Sequence, residues 1–198
     1  MPEAPLPAHR PSHAPVRLPI PAQPAPHGGH GGVGRLNALP RAAAEQALFG
    51  CCGSHAWARR LAAHRPYPDL DALLAAADEA AYDLSPEDIG EALDREELPL
   101  PPDAAAYSAA YTALAAAHGA YESKFRHPFV ICLDGVAPSE ALDHLLAALY
   151  ERMDNDPEDE RVRAADELRR LARARLTRLV RNVPVPREAV TNSPYVPV

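Results

Sequence analysis

The sequence predicts an all-α protein, a single helical-bundle domain of about seven to eight helices between disordered proline-rich tails. Three observations carry that expectation. Alanine recurs throughout residues 42–174 with leucines three and four apart, the period of a helix with one buried face. Serine, aspartate and proline stand where helices should begin. The one run rich in β-formers, Pro128-Phe-Val-Ile-Cys-Leu133, is too short and isolated to make a sheet.

The domain is expected over residues 34–182. Residues 1–33 carry nine prolines and no aliphatic pattern, and end in the glycine hinge Gly28-Gly29-His30-Gly31-Gly32. Such a composition cannot bury a core, so it reads as a disordered arm. His9, His13, His27 and His30 lie there with nothing to fix a coordination geometry, so no metal is expected. Pro184, Pro186, Pro194 and Pro197 mark residues 183–198 as a second loose tail.

Within the domain, Pro40 suits the first turn of a short helix reaching about Leu48. A small-residue turn, Gly50-Cys51-Cys52-Gly53, leads to Ser54, which can cap a helix through Ala63 with Trp57 and Leu61 on one face. Arg65-Pro-Tyr-Pro68 breaks it. Asp69 caps the next helix, through about Tyr82, with Leu70, Leu73, Leu74 and Ala77 aligned. Ser85-Pro86-Glu87-Asp88 combines a cap, a proline and acids at the positive end of a helix dipole, and that helix fades by about Glu96.

Pro99, Pro101 and Pro102 enforce a loop, after which Asp103 caps a long alanine-rich helix to about Lys124. The 128–133 run follows as an extended connector whose backbone amides are free to bind. Pro138-Ser139-Glu140 opens a helix to about Met153, with Leu142, Leu145, Leu146 and Leu149 inward. Asp156-Pro157 begins the last, ending near Arg181, acidic in its first turn and arginine-rich in its last two.

Adjacent Cys51 and Cys52 cannot form an ordinary disulfide, and with Cys132 they make an odd set with no zinc spacing. They read as small buried thiols in a reduced, cytoplasmic protein. A net charge of −7 gives no general attraction to nucleic acid, and no apolar run approaches the roughly 18 residues of a membrane span. The eight arginines between Glu158 and Asn182 are interleaved with five acids, so they define no basic groove. No phosphate loop, nucleophile elbow or metal-binding helix motif is present.

One residue breaks the pattern. Leu168, Leu171, Ala172 and Leu179 form a stripe on the last helix, and Arg175 sits in its middle. A charge there must be paired, must snorkel, or must face a cavity, where its planar fork would suit a carboxylate or ureido group.

Several spaced motifs resemble a known family. Leu36-Asn37-Ala38-Leu39-Pro40, Cys51-Cys52-Gly53-Ser54 and Trp57 resemble the opening of the 2-oxo-4-hydroxy-4-carboxy-5-ureidoimidazoline (OHCU) decarboxylases. His118-Gly-Ala-Tyr121-Glu-Ser-Lys-Phe125 with Phe129-Val130-Ile131 is similar to the family's Asn-x-x-Tyr-x-x-x-Phe-Gly-Phe and Phe-(Val/Ile)-Ile run. Ala147–Arg152 with Asn155-Asp156-Pro157-Glu158 is similar to its Leu-x-x-Arg-x-x-Asn-x-x-x-Glu pattern. Leu171-Ala-Arg-Ala-Arg-Leu176 is similar to its closing helix.

The resemblance covers about residues 36–181. It implies decarboxylation of OHCU to (S)-allantoin in urate breakdown, with no cofactor, in a homodimer, on a small anionic ureidoimidazoline-type substrate. It further implies substrate binding by Arg175 and by the backbone at Phe129, Val130 and Ile131.

The proton-transfer half departs from the family pattern. Where His-Pro-x-Ile-Gly belongs, this chain reads Asp94-Arg-Glu-Glu-Leu-Pro99, which puts Glu96 at the place of the catalytic histidine, and the family's Glu-Gln pair has no counterpart. Two readings follow. Either Glu96, Glu97, His118 or His127 supplies a rewired acid/base group, with Glu96 the candidate catalytic residue, or the protein is a non-catalytic ligand-binding or scaffold homologue.

Overall fold

The computed structural model describes residues 32–99 and 109–182. These form eight helices and no strand: α1 Gly32–Ala38, α2 Arg41–Cys52, α3 His55–Ala63, α4 Leu70–Tyr82, α5 Pro86–Leu93, α6 Ala109–Phe125, α7 Ala141–Met153 and α8 Pro157–Asn182. The expected disordered arm before Gly32, the cap at Asp103 and the loose tail after Asn182 lie outside the described residues.

The cap signals translate directly into geometry. Ser54 accepts from the Trp57 N–H at 3.3 Å, and Asp69 from the Ala72 N–H at 2.8 Å. Ser85 and Asp88 close a reciprocal capping box on α5. Between α2 and α3, Gly53 adopts φ 77°, and a Cβ there would press on the Ala92 backbone of α5. Glycine meets both demands at that corner.

Helix α1 was not anticipated, because its glycine-rich start reads as a hinge. Gly32 instead lets α1 lie against α8, since a Cβ on it would overlap the Val180 carbonyl oxygen. The Arg65 guanidinium then donates to the carbonyls of Leu36 (2.6 Å) and Leu39 (2.8 Å), tying the end of α1 to the turn after α3. Asn37 holds both backbone groups of Tyr67, accepting from its N–H and donating to its C=O.

Two apolar clusters result. The larger gathers Leu36, Leu48, Trp57, Leu61, Leu73 and Leu176 from α1 to α4 and α8. Helix α8 runs through it, packing on α1, α2, α4 and α5. The buried Trp57 indole N–H donates to the Ala77 carbonyl at 3.0 Å, so the ring is buried without an orphaned donor. The smaller cluster packs α6 on α7 around Leu114, Tyr121, Phe125, Phe129, Leu145 and Leu149. The extended 128–133 stretch lies at the seam, with Phe129 in the smaller cluster and Val130 in the larger.

Candidate functional site

Helix α8 carries Arg175 to the inner wall of the bundle, and the turn after α5 brings Glu96 to meet it. The pair is bidentate, with Arg175 Nη1 to Glu96 Oε1 at 2.6 Å and Nη2 to Oε2 at 2.7 Å. Arg175 Nη1 also donates to the Cys51 carbonyl at 3.4 Å. The Glu96 carboxylate strengthens the guanidinium's hold on its proton against the opposing effect of burial. The Glu96 side chain is only 5% exposed, while that of Arg175 is 34% exposed and faces a cavity.

That cavity holds about 300 Å³ and is lined by Glu96, Glu97, Val130, Ile131, Leu133 and Arg175, among others. At its edge Arg178 pairs with Asp134 at 2.9 Å. Among the described residues, nothing accepts a hydrogen bond from the Val130 or Ile131 N–H. Of the residues singled out in the sequence, the fold therefore brings Glu96, Glu97, Val130, Ile131 and Arg175 to one space.

Phe129 is fully buried in the smaller cluster, its ring beneath the Arg152 guanidinium at 4.4 Å. His118 and His127 do not line the cavity. His118 stands near Glu122 at 3.7 Å, and His127 donates through Nδ1 to the Pro128 carbonyl at 2.9 Å while its ring packs on Tyr121.

The thiols of α2 sit behind the ion pair. Burial pushes Cys51 up to about 11 and Cys52 up to about 12, so both stay neutral at physiological pH. Among the described residues no group of three or more His, Cys, Asp or Glu side chains is placed to hold a metal ion.

The cavity's extended wall is fixed from behind by Arg152, which the sequence marks only as part of a motif, and by Glu167, which no sequence pattern singles out. Arg152 Nη1 donates to the Val130 carbonyl at 2.6 Å, and Glu167 accepts from the Cys132 N–H at 2.9 Å. Arg152 is itself held by Glu160, which has no exposed surface and also accepts from Tyr121 and from Asn155. Burial alone would raise the Glu160 carboxyl, but those donors outweigh it and hold it below its ordinary value. Tyr121 is pushed up by burial and by the Glu160 charge. Glu160 lies in the first turn of α8, where an acid needs no explanation beyond the helix dipole, so its sequence position hides its second task.

A further pair, His55 with Glu91, closes the α3–α5 corner on the outer surface, and His55 holds Glu91 below the ordinary carboxylate range.

A family model described as OHCU decarboxylase matches residues 37–96 and 102–177. A crystal structure of OHCU decarboxylase in the presence of (S)-allantoin is similar over 69% of this chain and 97% of that one, with TM-score 0.58 and 26% identity. A crystal structure of (S)-allantoin synthase is similar over 75% of this chain, with TM-score 0.61 and 23% identity, a likeness of fold. The present chain spans about half of that protein's length (53%). No curated protein matches the chain significantly.

Proposed function

The chain belongs to the OHCU decarboxylase family, and on that premise we propose that it decarboxylates OHCU to (S)-allantoin in the cavity beside Arg175. The observation that carries the reading is the partly exposed Arg175 side chain on the wall of a small cavity that Val130 and Ile131 also line. A planar fork matches a carboxylate, and unengaged N–H groups suit ureido and ring carbonyls. About 300 Å³ is at the low end for ligand pockets and suits a compact heterocycle.

In this reading Arg175 orients the carboxylate that will be lost. The electron pair left behind must be met by a proton, and Glu96 is the titratable side chain in contact with Arg175. The proposal involves no metal or organic cofactor, and includes the cytoplasmic location read from the sequence and the homodimeric assembly that the resemblance implies.

A second reading, a non-catalytic ligand-binding homologue, is favoured by the same ion pair, because Glu96 already fills the arginine fork. Turnover separates the two. OHCU generated in situ from urate is followed by circular dichroism as (S)-allantoin forms. The decarboxylase reading expects acceleration over the spontaneous decay, lost in Arg175→Ala and largely lost in Arg175→Lys, which keeps the charge without the fork. A wild-type rate equal to that of buffer sinks it and leaves the binding reading.

A further inference from the structure

Arg175 turns the Nη1–Nη2 edge of its guanidinium to Glu96, which fills that edge with both oxygens. A ligand carboxylate that reads that same edge must take at least one of those positions. It arrives from the cavity, whose wall Arg175 and Glu96 share, and the Glu96 side chain is only 5% exposed there.

Among the described residues no second cation stands ready to receive the displaced Glu96. On α8, Arg178 is engaged with Asp134. Arg95, its chain neighbour, lies over the Phe49 ring at 4.7 Å. From α2, Cys51 and Cys52 present neutral thiols, and Glu97 adds negative charge. On α5, Glu91 is occupied by His55. A carboxylate stripped of its counter-ion, kept from water and left beside a second carboxylate favours its neutral form.

We propose that Glu96 and the ligand's carboxylate exchange on Arg175, Glu96 taking up one proton from solvent as it yields the fork and so becoming the acid of the site. This rests on the decarboxylase reading above. The balance closes. The bond from the ring to the carboxylate breaks, its electron pair stays with the ring system, and CO2 leaves. The carbon that holds the pair receives the Glu96 proton. Glu96 is then ionised again, and since the product has no carboxylate, it recloses on Arg175 and drives the product out. One solvent proton is consumed per turn, as the loss of CO2 from a carboxylate requires. The residue that replaces the family's histidine thus serves first as an internal stand-in for the substrate's anion and then as its proton source.

The test uses the intact protein and two ureides that cannot be decarboxylated by this route. One is N-carbamoylglycine, which carries a carboxylate, and the other is neutral (S)-allantoin. Titration calorimetry in buffers of different ionisation enthalpy counts the protons taken up on binding. Wild type should take up about one proton with N-carbamoylglycine and none with (S)-allantoin. Glu96→Gln should bind N-carbamoylglycine without uptake and roughly tenfold more tightly or better, because no internal anion competes.

Binding of N-carbamoylglycine to wild type without proton uptake overturns the exchange and leaves the decarboxylase pocket standing. Binding to Glu96→Gln alone makes the ion pair a permanent block and also overturns it. Failure of both ureides to bind either protein overturns the pocket reading, and the exchange with it. The wild-type measurement needs no variant to fold.

Discussion

Glu160 has no exposed surface and answers three donors, Arg152, Tyr121 and Asn155. A buried charge of this kind is worth most through what its loss leaves behind. Glu160→Gln strands the Arg152 guanidinium, so it should lower stability by about 3–5 kcal/mol in urea denaturation. A joint replacement of Arg152 and Glu160 by methionine should cost less than the two single changes combined. The pH dependence has a fixed sign. The Glu160 carboxyl is held below its ordinary value of 4.5 in the folded state, so its contribution is present above that value and drains away as pH falls toward its lower folded one. Acid titration of stability should therefore be steeper below pH 4.5 for wild type than for Glu160→Gln. Arg175 was legible at this scale, because an arginine inside a leucine stripe is an anomaly that periodicity exposes. Its partner was not legible as a partner. Glu96 is 79 positions away in a cluster of acids after a helix, which looks like an ordinary wet helix end.

Helix α5 has only eight residues and delivers Glu96 three positions beyond its end. A helix that short depends on its cap. Ser85→Ala removes the capping box and should cost about 1 kcal/mol, seen as a lower denaturation midpoint with an unchanged slope. The cap signals at Ser54, Asp69 and Ser85 could be read in advance because a cap joins residues three apart. The sequence opens α7 at Pro138-Ser139-Glu140, whereas the helix begins at Ala141 and Glu140 makes no side-chain cap bond there. What could not be read was the support of the 128–133 stretch, since Arg152 and Glu167 reach it across 22 and 35 positions. Helix α1 was hidden for another reason, because glycine reports either freedom or close approach and the sequence does not say which.

At the scale of the molecule, α6 and α7 form their own small cluster, tied to the rest through the Arg152–Glu160 pair and the seam at Phe129 and Val130. Native-state hydrogen exchange should find the α6–α7 amides opening at a lower free energy than those of α2, α3 and α8, with the gap widened in Glu160→Gln. Equal protection in both regions would show a single cooperative unit. The all-helical class and the existence of most helices were visible in the chain, because alanine, leucine spacing and caps all agree. The division into two clusters was not, since it depends on which helices meet. The cysteines show what such placement brings with it. Two thiols are sealed behind the ion pair and are close to inert, whereas Cys132, half-buried, lines the cavity itself. An alkylating dye would therefore tag the cavity mouth in the native protein with no engineering. The speed of that tagging becomes a clock for whether the cavity is empty or filled.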